Sequence, residues 1–229
     1  MTRPRVVSLV PSVTETLLAW GVTPVACTRF CEQPDLPHVG GTKDPDVAGI
    51  VELRPDLVVL CVEENRREDA DALTEAGIAT AALSIDGVAD VAPALRSLAG
   101  LVGVDPDRVE EIDITPPPGE RLRAFVPIWK RPWMSLAGGT YGSSLLAAIG
   151  VDNVFADADD RYPTVTLEAA RARGPDVVLA PSEPYPFRER HIPLLDGVAP
   201  VVLVDGQDLF WWGVRTAAAA ERLHRQLWR

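Results

Sequence analysis

Ten aromatic side chains, one pair of adjacent acids and three cysteines are the residues of this chain placed where they could do chemistry. Phe30, Trp129, Trp133, Tyr141, Tyr162, Tyr185, Phe187, Phe210, Trp211 and Trp212 fall mostly in loops and at the ends of apolar runs, outside helical patterns. Aromatic rings offer a large, stiff contact area at low entropic cost, so such a set suits a wide, flat or greasy ligand. Taken singly, any one of them could equally plug a sheet–helix core, as Trp20 and Phe155 are expected to do. Glu63 and Glu64 could share a raised pKa in a cleft, or remain ordinary solvated carboxylates. Cys27 and Cys31 form a C-x₃-C pair with no second pair to complete a tetrahedral metal site, which reads as one buried and one loop cysteine.

Several chemistries are excluded or unsupported. His38, His191 and His224 are scattered, and none has metal-ligand spacing with another, so no bare metal site is expected. The chain has no G-x-S-x-G, no P-loop and no G-x-G-x-x-G, and no catalytic constellation can be assembled. The net charge of −11 repels phosphate backbones, so nucleic acid is not an expected partner. With 47% hydrophobic and 24% charged residues the composition is that of a globular protein, and no apolar run approaches a membrane span. An apolar strand, RVVSLV, follows Met1 almost at once without an export signal, so the sequence as written reads as cytoplasmic; a truncated start would make it extracytoplasmic.

Short apolar runs alternate with helical patterns. Strands are predicted at Val6 to Val10, Leu57 to Val62, Leu122 to Ile128, Val177 to Ala180 and Val201 to Val204. Helices are predicted at Thr14 to Trp20, Arg66 to Ala76, Ser143 to Ile149, Leu167 to Arg173 and Thr216 to Leu227. That alternation predicts an α/β fold with parallel sheets covered by helices. The chain also echoes itself. SLVPSVTETLLAWGV, from Ser8, is matched by SLAGGTYGSSLLAAIGV, from Ser135, and LRPDLVVLCVEEN, from Leu53, by ARGPDVVLAPSEP, from Ala172. Two echoes in one order predict two equivalent lobes. An N-terminal lobe spans 1–87, a connecting helix and Pro-rich linker 88–119, and a C-terminal lobe 120–229. The linker ends in Thr115-Pro116-Pro117-Pro118-Gly119, which cannot continue a helix.

Ligands of open parallel sheets bind beyond the carboxyl ends of the strands. The echoes place Pro11-Ser12, Glu63-Glu64-Asn65, Gly138-Gly139-Thr140 and Ser182-Glu183-Pro184 there, with a cleft expected between the lobes. Pro11-Ser12 and Gly138-Gly139-Thr140 each open a helix whose free N–H groups favour an anionic ligand group.

These stretches resemble a known family. RVVSLVPSVTETLLAWGV, Thr28-Arg29-Phe30-Cys31 and VGGTKDPDVAGIVELRPDLVVLCVEEN resemble the helical-backbone metal receptors, the class III substrate-binding proteins of cobalamin, haem and siderophore importers. WKRPWMSLAGGTYGSSLLAAIGVDNVF, RYPTVTLEAARARGPDVVLAPSEPYPF and VDGQDLFWWGVR continue the likeness through nearly the whole chain. The resemblance implies two Rossmann-like lobes, a rigid connecting helix and a bulky metal complex held between them: a corrinoid first, then haem or a ferric siderophore. It implies no cofactor beyond that cargo, no catalysis, and a monomer. Phe30 falls where cobalamin-binding members place a stacking tyrosine, and Tyr162 where they place a ligand-facing tryptophan. Ser12, Lys43, Glu63, Glu64, Asn65, Trp129, Tyr141, Glu183, Tyr185, Trp211 and Trp212 complete the expected ligand-binding set. Glu168, seven residues before Pro175, occupies the family's permease-docking position, but its counterpart seven before Pro55 is Ala48. Half of the docking pair is absent, although Glu52 could substitute from one helical turn away. The linker also departs from the long helix usual in the family. A rival reading is a tetrapyrrole metal chelatase on a similar scaffold, with His191 as its metal-entry residue. A third is a sensing or structural relative that has lost its ligand, against which the retained aromatics count.

Overall fold

A computed structural model describes residues 3–116, 119 and 121–228. Its internal contacts divide the chain into two compact units. The first comprises the residues up to Ile85, Ala89–Glu111 and Trp212–Val214; the second comprises Asp86–Val88, Ile112–Trp211 and the residues from Arg215 on.

The first unit alternates strand and helix: β1 (Val6–Ser8), α1 (Pro11–Ala19), β2 (Ala26–Cys27), α2 (Val47–Leu53), β3 (Leu57–Cys61), α3 (Arg67–Glu75), β4 (Thr80–Leu83) and α4 (Val88–Leu101), the last belonging to this unit from Ala89. The four strands are parallel in the order β2-β1-β3-β4. β1 and β3 are buried on both faces, which is why they read as continuous apolar runs. Val7, Leu9, Val58 and Leu60 pack with Ile50 of α2 and Leu73 of α3 in one core. Helix α1 begins three residues earlier than its apolar pattern, because Pro11 stands at its first turn, where a missing N–H costs nothing. It stops at Gly21, whose φ of +69° lets the chain turn back and Val22 bond the carbonyl of Leu17.

The second unit repeats that scheme with an insertion. Its elements are β5 (Leu122–Phe125), β6 (Pro127–Lys130), β7 (Trp133–Ser135), α5 (Tyr141–Ala148), β8 (Val151–Asn153), α6 (Leu167–Ala172), β9 (Val177–Pro181), α7 (Ile192–Leu195), β10 (Val201–Val204), α8 (Gly206–Phe210) and α9 (Thr216–Leu227). The parallel sheet has the order β8-β5-β9-β10, the first unit's order strand for strand. The single strand expected over Leu122 to Ile128 is broken. Pro127 lacks an N–H and starts an antiparallel hairpin, β6–β7, while the hydroxyl of Ser135 donates to the freed carbonyl of Val126 at 2.9 Å. Phe125 and Phe155 meet edge to face at 5.8 Å in the core of this unit.

The Pro-Asp echo has a physical cause. Asp56 accepts the backbone N–H of Arg5 at 2.7 Å, and the Arg5 guanidinium donates to the carbonyls of Leu53 and Arg54. Asp176 accepts the N–H of Arg123 at 2.8 Å, and the Arg123 guanidinium donates to the carbonyls of Arg173 and Gly174. The same clamp therefore sets the register of the two central strands in each unit. Of the expected linker breaker, Pro117 and Pro118 lie outside the described residues. Among the described residues no helix is long and apolar enough to cross a membrane.

Candidate functional site

In the first unit the loops after β1, β2 and β3 lie at the carboxyl edge of the sheet. Phe30, on the turn after β2, is 50% exposed. The Arg29 guanidinium stacks on its ring at 4.8 Å and pairs with Asp44 at 2.9 Å, which restrains the turn. Its backbone N–H donates to the hydroxyl of Thr28, and that hydroxyl lies 3.1 Å from the sulfur of Cys31. Lys43 donates its ammonium to the carbonyl of Glu63 at 2.9 Å, tying the two loops together. Glu63 and Glu64 are partly exposed on the turn after β3.

Asn65 was expected to face ligand, and the structure corrects this. The residue is buried; its amide oxygen accepts the N–H of Cys61, and its amide nitrogen donates to the carbonyls of Leu9 and Thr42. Its hydrogen-bonding capacity is spent on holding the three loops in place. Ser12 lies one residue into α1 and is also buried, with its hydroxyl shielded from solvent, so it does not present the exposed polar group expected of it.

In the second unit an aromatic cluster forms at the ends of β6 and β9. Trp129, 43% exposed, meets Tyr185 edge to face at 5.6 Å, and Tyr185 lies 4.8 Å from Phe187. Phe187 stacks in turn on Trp133 at 6.1 Å. Trp129 is exposed, Trp133 and Tyr185 are half-buried, and Phe187 is core. His191 closes the cluster from beneath. It is buried, its Nδ1 accepts the N–H of Arg188 at 3.0 Å, and Tyr185 and Phe187 lie against its ring. Burial, followed by the charges of Arg190, Lys130 and Arg188, pushes its pKa below the usual imidazole range. With its Nδ1 already engaged and its ring packed against Tyr185 and Phe187, His191 is a structural cap poorly placed to receive a metal.

Tyr162 stands exposed on the loop before α6. Glu183 and Tyr185 lie on the turn after β9, where Ser182 accepts the N–H of Gly206 at 2.9 Å; a side chain at Gly206 would collide with Glu183. Trp211 is partly exposed with the Arg215 guanidinium 5.1 Å over its ring, whereas Trp212 is buried and belongs to the core. Tyr141 is a further correction. Helix α5 starts at this residue and turns its ring inward, so the phenol bonds the hydroxyl of Thr216 at 3.1 Å and burial pushes its pKa up to about 12. Glu168 is exposed in the first turn of α6, beside a cavity of about 580 Å³ lined by Lys130, Arg131, Trp133, Thr166 and Leu167. Ala48 and Glu52 are both exposed on α2. The restraints on Phe30, from Arg29, Asp44 and Thr28, were missed from sequence; only the adjacency of Thr28, Arg29 and Cys31 hinted at them.

The first unit thus presents an exposed ring, Phe30, at the carboxyl edge of its parallel sheet above loops pinned by Asn65, and the second presents Trp129 on the β6–β7 hairpin and Tyr162 on the loop before α6. The sequence model of a family described as periplasmic binding protein matches residues 6–112. The vitamin B12-binding protein of Salmonella paratyphi A is 26% identical over 191 residues, covering 77% of this chain and 71% of that protein. Over residues 6–112 the chain is therefore similar to the periplasmic binding proteins. In fold, the chain matches the periplasmic vitamin B12 binding protein of Vibrio cholerae with a TM-score of 0.82 at 20% identity, over 98% of this chain and 96% of that one. It matches the periplasmic heme binding protein of Vibrio cholerae with the same TM-score, 0.82, at 19% identity, over 98% and 99%. The two-unit α/β architecture with equivalent parallel sheets, expected from the internal echoes, is the architecture these proteins share.

Proposed function

We propose that this protein is a substrate-binding protein for a metal-bearing organic complex, a corrinoid first and haem or a ferric siderophore next. The observation that carries the reading is the set of exposed rings, Phe30 in the first unit and Trp129 and Tyr162 in the second, with Tyr185 half-buried beside Trp129, on the fold of proteins named for vitamin B12 and heme. Flat macrocycles with apolar faces gain from stiff aromatic contacts, which lose little rotamer entropy on binding. Ser182, Glu183 and the Lys43–Glu63 loop supply polar partners for a ligand's peripheral amides or carboxylates. The metal is cargo, held within its own organic ligand, and the protein performs no catalysis on it.

Delivery to an ABC-type permease fits the exposed Glu168, with Ala48 leaving the first unit without its counterpart. The chelatase alternative loses support with His191, since metal insertion needs an accessible base and metal-entry ligand. Purification from the native host, followed by a visible spectrum and metal analysis, tests the assignment. A corrinoid or haem spectrum with stoichiometric cobalt or iron is expected. Colourless, metal-free protein that also binds none of these complexes when they are added would overturn it. Turnover of free metal and porphyrin would replace it with the chelatase.

A further inference from the structure

Apart from the exposed rings, the first unit holds a close pair of nucleophilic side chains. We propose that Cys27 and Cys31 form an oxidation site, a dithiol that a hydroperoxide closes to an intramolecular disulfide beneath the turn carrying Phe30. Cys27 ends β2 and is fixed by its backbone, donating to the carbonyl of Pro37 and accepting from Val39. Cys31 closes the following turn through its N–H to the carbonyl of Thr28 at 3.1 Å, which brings it back towards Cys27, and each thiol perturbs the ionisation of the other. Thr14 donates its hydroxyl to the Cys31 sulfur at 3.2 Å, and Thr28 lies 3.1 Å from the same atom while accepting the N–H of Phe30. The sulfur of Cys31 is therefore solvated by hydroxyls as a thiolate would be, inside a buried site.

The electrostatics agree with the geometry. The neighbouring Cys27 thiol, with the hydroxyls of Thr14 and Thr28, lowers the Cys31 pKa to about 6 against the opposing effect of burial, while Cys31 and burial raise that of Cys27. Cys61 is the internal reference: burial pushes its thiol up to about 12, and it has no cysteine partner. Both members of the pair are buried, Cys31 at 3% exposure, so the oxidant must be small. A hydroperoxide meets that condition.

The steps balance. The Cys31 thiolate attacks the peroxide; an S–O bond forms, the O–O bond breaks, and the released hydroxide takes a proton to become water. The Cys27 sulfur then attacks the Cys31 sulfenic acid; an S–S bond forms, the S–O bond breaks, and the Cys27 proton leaves with hydroxide as the second water. One peroxide is reduced by two electrons as two thiols become one disulfide. The product no longer offers Thr14 and Thr28 a thiolate, so the Thr28 hydroxyl that holds the Phe30 N–H is released from its second partner.

The test uses the full chain, reduced and then treated with stoichiometric hydrogen peroxide. Its three free cysteines should fall to one, with a mass loss of two hydrogens. Trypsin cuts after Arg29, between the two cysteines, so only the disulfide can hold the flanking peptides together. That linked pair should appear in wild type and in Cys61→Ser, and vanish in Cys31→Ser. In Cys27→Ser a Cys31 sulfenic acid should be trapped by dimedone. Amide exchange over residues 28–31 should change on oxidation, while that of β3 does not. Cys61 oxidising in step with the pair, or Cys31 advancing to sulfinic acid in wild type without the linked peptides, would overturn the proposal. None of these measurements requires a ligand, so their failure is separate from failure of the binding assignment.

Discussion

Asn65 shows how a polar residue at a strand end can look like a ligand contact and be a strut. Its sequence position is compatible with either role, because a side chain at the end of a buried strand can point outward or back under the loops. The structure gives it three backbone partners and buries it. Asn65→Ala should therefore destabilise the protein by about 2–4 kcal/mol in a denaturant titration, since it strands a buried N–H and two carbonyls. An effect confined to ligand affinity would restore the original reading. Tyr141 makes the same point through pH. Its phenol titrates near 10 in an unfolded chain and near 12 when folded. The unfolded state thus loses its proton first, and the stability held below pH 10 is lost as pH rises towards 12. Tyr141→Phe should lessen the fall in stability over that window by about one proton's worth of slope. Phe30 and Tyr162 stand exposed in loops and Trp129 on the hairpin strand β6; the sequence placed all three in the ligand set but could not separate any one of them from a core ring. Trp212 and Phe187, in similar company, turn inward, a distinction that depends on packing between elements distant in sequence.

At the scale of elements, long runs were readable and short ones were not. Val201–Val204 and Thr216–Leu227 fall where periodicity placed them. Edge strands such as Ala26–Cys27 and Val151–Asn153 are too short to display a period, and exist because a longer neighbour offers them hydrogen bonds. The repeated clamp around the Pro-Asp pairs carries a prediction. Gly174 holds φ +61°, and its counterpart Arg54 holds φ +47°. A left-handed conformation costs a side-chain-bearing residue roughly 1–2 kcal/mol, partly offset by the greater freedom of glycine in the unfolded chain. Arg54→Gly should therefore stabilise the protein by about 0.5–1 kcal/mol, read as a raised midpoint of unfolding. A lowered midpoint would mean that the Arg54 side chain makes contacts that outweigh the strain.

For the whole molecule, the internal echoes revealed two equivalent α/β units, and the same echoes exposed where they differ, at Ala48 and Glu168. If docking to a permease uses one carboxylate per unit, Ala48→Glu should tighten binding to the host's permease in a surface-binding assay. Close charge pairs across interfaces contribute about 1.5–7 kcal/mol. Tight wild-type binding that is indifferent to Ala48→Glu and lost in Glu52→Ala would show instead that Glu52 already fills the role. The central claim concerns the ligand. Calorimetric titration of cyanocobalamin, hemin and a ferric siderophore into wild type, Phe30→Ala and Trp129→Ala tests it most directly. The account predicts one-to-one binding of at least one complex, weakened in each variant by roughly 1–3 kcal/mol, the range for losing an aromatic anchor. Wild-type affinity retained in both variants, or no binding of any complex, would contradict it.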